Sequence, residues 1–185
     1  ATAIQKWDLH KRIALFVLEN VGSNGASLVL GFMVTAAIIS MWVMNTATTI
    51  MLLPIGLAVI TVVKETVKGL SDEETENFQL SLLLGIAYGA TIGGMSTLIG
   101  TGPNGMLAAF MSDNYNLDIS FVDWMKVGGP LSAVMLPSSW LILTRVIYPV
   151  KFETSKETID LLTSMKQELG TFNGPEVKVF IVFVA

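Results

Sequence analysis

Apolar and polar positions divide the chain into long uncharged runs separated by short charged segments. The longest run, Asn20 to Val63, holds 44 residues without an Asp, Glu, Lys or Arg, and a second covers residues 77–112, 36 residues. Within the first run, two apolar arms at about 26–44 and 47–63 flank a polar centre, Asn45, Thr46, Thr48 and Thr49. At about 1.5 Å per helical residue, each arm could just reach across a hydrocarbon core of roughly 30 Å. The arms are therefore either two full crossings with Asn45 at the far surface or a re-entrant hairpin whose tip stops near the middle. Pro54 is expected to kink the second arm. Gly22-Ser23-Asn24-Gly25 marks a turn ahead of the first.

The second run is interrupted differently. Residues 93–105, Gly93-Gly94-Met95-Ser96-Thr97-Leu98-Ile99-Gly100-Thr101-Gly102-Pro103-Asn104-Gly105, hold five glycines and a proline. That density argues against a continuous helix. The pattern predicts a broken transmembrane helix over 72–112, with its second half starting near Pro103, a favourable first-turn residue. Its start is marked by Ser71 and Glu74, spaced as a capping box, with acidic residues in the first turn.

The remaining periodicities give the flanking elements. Over 3–21, Gln5, Asp8, Arg12 and Glu19 share one polar stripe, while Lys6 and Lys11 lie off it and must snorkel; this fits a helix on the membrane surface. Ser120 is placed to cap a short helix that Gly128-Gly129-Pro130 ends. A spanning helix follows over 130–149, with Pro137 as a kink and Pro149 as its stop. Residues 154–170 predict a second amphipathic surface helix, with Thr154 and Glu157 as a capping box and Gly170 past its end. Residues 175–185 read as the start of a further transmembrane helix, so the chain reads as a piece of a longer one.

Composition agrees with this pattern. The chain of 185 residues is 52% hydrophobic and 14% charged, against about 25% charged in soluble domains, and its mean hydropathy is +0.63. The fold class is thus all-α integral membrane, and the chain is expected to be multi-pass; the membrane expected for it is the cytoplasmic one. Lys6, Lys11 and Arg12 near the start, and Arg145, Lys151, Lys156 and Lys166 near the end, put both ends on the cytoplasmic side and the Lys- and Arg-free 112–125 loop outside. Asp113, Asp118 and Asp123 are then solvated loop residues. With no cysteines there is no disulfide or thiolate site. His10, the single histidine, suits a hydrated surface position better than a metal ligand. No nucleic-acid partner is expected.

Neither run carries an enzyme motif: there is no GxSxG, HExxH, P-loop or carboxylate pair. The chemistry lies in the two interruptions. Each would present unpaired backbone carbonyls, able to hold a hard cation, and a helix N-terminus, which favours an anionic group. The plainer reading is that Asn45 and the threonines only bond helices together and the glycines only allow close packing.

The stretches from Ser40 to Pro54 and from Ile92 to Gly105 resemble the divalent-anion/sodium symporter family, transporters of dicarboxylates, citrate and sulfate that include the INDY proteins. The first is similar to the family's Ser-Asn-Thr signature with its following Ala-Thr-Thr and Leu-Pro; the second is similar to its broken helix. The order of elements matches over nearly the whole chain. The resemblance implies a re-entrant hairpin and one half of an inverted-repeat, elevator-type transporter that works as a homodimer in a lipid bilayer. It implies that Asn45 and Thr46 contact a substrate carboxylate, and that Ser40, Met44 and Asn45 with Gly93 form a Na⁺ site. Met44 stands where the signature has Ser, so a ligand from that position would come from the main chain. The implied function is sodium-coupled symport of di- or tricarboxylates. Its rivals are a dicarboxylate exchanger on the same fold and a non-transporting membrane assembly or channel segment.

Overall fold

The computed structural model describes residues 24–67, 69–153, 160, 163 and 164. The surface helix expected over 3–21 and the apolar segment at 175–185 lie outside them. So does nearly all of 154–170, where Asp160, Thr163 and Ser164 are helical. The described chain is helical: α1 is Gly25–Ser40, α2 Asn45–Thr66, α3 Asp72–Ser96, α4 Gly102–Tyr115 and α5 Phe121–Leu141, continued by a π-helical turn at Ile142–Ile147. Among the described residues there is no strand, only an isolated bridge between Asn24 and Glu153. Among the described residues, three stretches are long and apolar enough to cross a membrane: α2, α3 and Phe121–Ile147. At 16 residues, α1 spans only about 24 Å.

The helix boundaries follow local chemistry. Asn24 caps α1 by accepting the Ser27 N–H at 2.7 Å. At α3, Ser71 Oγ accepts the Glu74 N–H at 3.2 Å while the Glu74 carboxylate accepts the Ser71 N–H at 3.0 Å, the reciprocal pairing of a capping box. Ser120 Oγ accepts the Asp123 N–H to start α5. Asn116, in the left-handed region at φ 50°, closes α4, a conformation that Asn tolerates better than most residues.

α3 is the central element. Its Gly85, Gly89 and Gly93 form a ladder along which α1 lies: an added Cβ at Gly85 would meet Val29 and Met33, at Gly89 the Met33 backbone, and at Gly93 the Ala37 backbone. Small residues at every fourth position let two helix backbones approach in an apolar medium. Phe32, Leu52, Val59, Phe78, Leu82 and Ile86 fill the core between α1, α2 and α3. α5 covers the other side of α3 and is itself mostly exposed: in its most apolar 18-residue window only 11% is buried, against 56% for α3.

Within the Gly-rich stretch 93–105, α3 continues to Ser96 and α4 starts at Gly102 beside Pro103, so the interruption falls at 97–101, and helix packing uses the missing side chains of Gly93 and Gly94. One boundary differs from the sequence expectation: Gly128-Gly129-Pro130 does not interrupt α5. Gly128 sits against the Met95 and Ser96 carbonyls, where a Cβ would come within 2.8 Å. Trp124 and Ser132, on either side of the triplet, both bond to α3. These tertiary contacts outweigh the low helix propensity of the triplet.

Candidate functional site

The turn between α1 and α2, residues 41–44, meets the break between α3 and α4. Turn backbone N–H groups fold back on α1: Met41 donates to Ala37, and Trp42 and Val43 to Ile39. The Thr97 hydroxyl, from the break, donates to the Met41 carbonyl at 2.5 Å. Ser40 Oγ donates to Asn45 Oδ1 at 2.7 Å and lies 3.3 Å from the Val43 carbonyl. Thr48 Oγ1 is 3.5 Å from that same carbonyl. Ser40 and Thr48 are fully buried. A knot of neutral oxygens therefore fills the turn. Among the described residues no three His, Cys, Asp or Glu side chains cluster as a metal site, so any cation held here would be held by uncharged oxygens, a donor set that suits a hard monovalent ion.

Two helices begin at this junction, and neither start is capped by a side chain. α2 follows Met44 and α4 follows Thr101, and no side chain accepts from the first turn of either. The first backbone N–H groups of an α-helix have no partner within it, and the dipole makes that end electropositive. The two starts converge over Gly94, where an added Cβ would strike both Asn45 Oδ1 and Thr101 Cγ2. Gly100 folds back against the Gly94 backbone.

The end of α3 is supplied with donors. Ser132 Oγ bonds the Ile92 carbonyl at 2.8 Å, Ser96 Oγ that of Gly93 at 2.6 Å, and Trp124 Nε1 that of Met95 at 3.0 Å. Asn104 Nδ2 bonds the carbonyls of Gly94 at 3.0 Å and Thr97 at 2.8 Å. The carbonyls of Gly93, Gly94 and Met95 belong to the last turn of α3, where they would otherwise be orphaned in a helix that ends inside protein.

Of the residues singled out from sequence, Ser40 and Asn45 are joined directly, and Thr46 is exposed in the first turn of α2. Met44 is 69% exposed, and its carbonyl accepts the Thr48 N–H at 3.0 Å. Gly93 touches α1 at Ala37, one level away from the turn; the residue against Asn45 is Gly94. Sequence reasoning assigned no role to Gly94, Thr97 or Asn104. One signal was available: Asn104 is an amide in the interior of an uncharged run, and a buried amide needs partners.

Comparison with known proteins places the chain. A family model described as citrate transporter matches residues 1–181. A sodium-dependent dicarboxylate transporter of Staphylococcus saprophyticus is 35% identical over 185 residues, covering 100% of this chain and 36% of that protein. One from Staphylococcus aureus is 36% identical over 187 residues, with the same coverage. The chain thus spans about a third of the length of the curated relatives it matches.

Proposed function

The chain belongs to the citrate transporter family, a family of transporters and not of enzymes, and on that premise we propose that the full-length protein is a sodium-coupled symporter of di- or tricarboxylates in the cytoplasmic membrane. The observation that carries the proposal is the convergence of two uncapped helix starts over Gly94, with Asn45 and Thr46 at one of them. Both the carboxylate and the ion would bind there.

In this reading α1, the turn and α2 form a re-entrant hairpin. The length of α1 supports it, since about 24 Å falls short of a core of roughly 30 Å. So does the meeting of the turn with a helix break, because irregular backbone at membrane depth survives only inside protein or beside a polar cavity. Ser40 Oγ, Asn45 Oδ1 and main-chain carbonyls of the turn and the break would hold Na⁺, with Met44 contributing through its backbone alone and Gly93 from α3. The bound ion would supply positive charge. The Asn45 amide, the Thr46 hydroxyl and the free N–H groups of α2 would take the carboxylate. Neutral donors fit a site that must also cross the membrane empty, where a fixed Lys or Arg would be costly. The rest of the protein would add a second, inverted half. The binding unit would then move as an elevator within a homodimer.

The test is uptake of succinate or citrate into liposomes holding the full-length protein. Uptake is expected to require an inward Na⁺ gradient and to be lost in Asn45→Ala. Full uptake without Na⁺ would refute symport, and counterflow with no net Na⁺ movement would identify an exchanger.

A further inference from the structure

Asn104 is buried to 9% exposure in the first turn of α4. Its backbone N–H donates to the Thr101 carbonyl at 3.2 Å. A side-chain amide has two donor protons, and both are committed: one to the Gly94 carbonyl on α3, one to the Thr97 carbonyl in the break. Ser96, Trp124 and Ser132 each bond a single carbonyl near the end of α3. Asn104 alone among the described side chains takes two, and it does so from across the interruption. Gly94, one of its two partners, is the residue against Asn45 Oδ1; Thr97, the other, donates its hydroxyl to the Met41 carbonyl in the turn. Both arms of the Asn104 amide thus lead to the meeting point of turn and break.

We infer that Asn104 is a positioning residue: by bonding Gly94 and Thr97 together it holds the start of α4 in register with the end of α3, and so sets the geometry in which Asn45 and the first turn of α4 face one another. It touches neither carboxylate nor ion. Without it, the Gly94 carbonyl on α3 loses its side-chain donor and the Thr97 carbonyl in the break keeps only the Gly100 N–H at 3.4 Å; a buried acceptor left unpaired in a water-poor site costs more than an ordinary hydrogen bond contributes. The break would relax to find other partners, carrying Gly94 away from Asn45. The inference rests on the reading of this junction as the anion and sodium site.

Two substitutions of the full-length protein test it. Asn104→Leu keeps roughly the side-chain volume and removes both donors; Asn104→Ser retains one. The half-saturating Na⁺ concentration and the KM for succinate are expected to rise about tenfold in Asn104→Leu and by an intermediate factor in Asn104→Ser, with kcat per folded transporter changed by less than about threefold. A readout that needs no transport is the rise in unfolding temperature on adding Na⁺, which should shrink in the same order. Half-saturation, KM and Na⁺ stabilisation all at wild-type values in both variants would overturn the inference. So would a lower unfolding temperature with those three quantities unchanged, because Asn104 would then only stabilise the fold. If Asn104→Leu yields no folded protein, Asn104→Ser decides by the same criteria. Absence of Na⁺-driven uptake in the unaltered protein would instead refute the symport reading, which separates the two failures.

Discussion

Glycine 93 and glycine 105 lie in the same Gly-rich stretch, and the structure gives them opposite jobs. Gly93 lies where a Cβ would run into the Ala37 backbone of α1, whereas at Gly105 an added Cβ meets nothing within 4 Å. Gly93→Ala must therefore push α1 off α3, at a cost of about 1–3 kcal/mol or more. Gly105→Ala fills open space on a helix and should stabilise by about 0.5–1 kcal/mol. Unfolding temperatures of the two variants in detergent should move in opposite directions; equal shifts would contradict the packing described. This contrast marks how far residue roles are legible in the sequence. The pattern reveals that the stretch from Gly93 to Gly105 is unlike a membrane helix, and that Asn45 and Thr46 are polar groups needing a reason. It does not reveal that Gly94 serves Asn45, because those residues are brought together by tertiary packing and no local period encodes that contact. Caps are different. Ser71 with Glu74, Ser120 with Asp123 and Asn24 with Ser27 are settled within three residues, so their chemistry can be read directly from the chain.

At the scale of elements, α5 shows why helix-breaking residues mislead. Gly128, Gly129 and Pro130 read as a stop, yet α5 runs through them because its neighbours pin both flanks to α3. The same contacts give α5 a role at the junction. Trp124 Nε1 bonds Met95 just ahead of the break, and Phe121 stacks on Trp42 of the turn with ring centroids 6.1 Å apart. One end of α5 thus leans on both parts of the candidate site. Trp124→Phe keeps an aromatic ring and removes the N–H. Losing that donor leaves the Met95 carbonyl unpaired, a cost of about 1–3 kcal/mol. The expected outcome is a lower unfolding temperature together with a weaker apparent Na⁺ affinity in the liposome assay. An unchanged affinity would show that α5 merely covers α3.

For the whole molecule, the decisive quantity is the depth of the turn between α1 and α2. α2 and α3 are each about half buried over their apolar stretches, at 44% and 56%, and α5 with the π-helical turn after it leaves Val127, Val134 and Val146 71%, 66% and 73% exposed. Apolar surface of that extent must face lipid or further protein. The turn is unlike it: Thr46 is exposed, yet the turn sits beside a helix end at which the Gly93, Gly94, Met95 and Thr97 carbonyls accept from side chains. A turn at the membrane surface would have water for that task. A turn inside the membrane needs the donors the protein provides. The described chain contains no cysteine, so a single Thr46→Cys in a full-length protein with any other cysteines removed reports the depth, with Asp118→Cys in the 116–120 loop as the surface reference. If the hairpin is re-entrant, a membrane-impermeant maleimide should modify position 46 much more slowly than position 118, and Na⁺ with succinate should slow it further by occupying the space the reagent must enter. Modification at the rate of position 118, indifferent to Na⁺ and succinate, would place the turn at the surface and make α1 and α2 two full crossings.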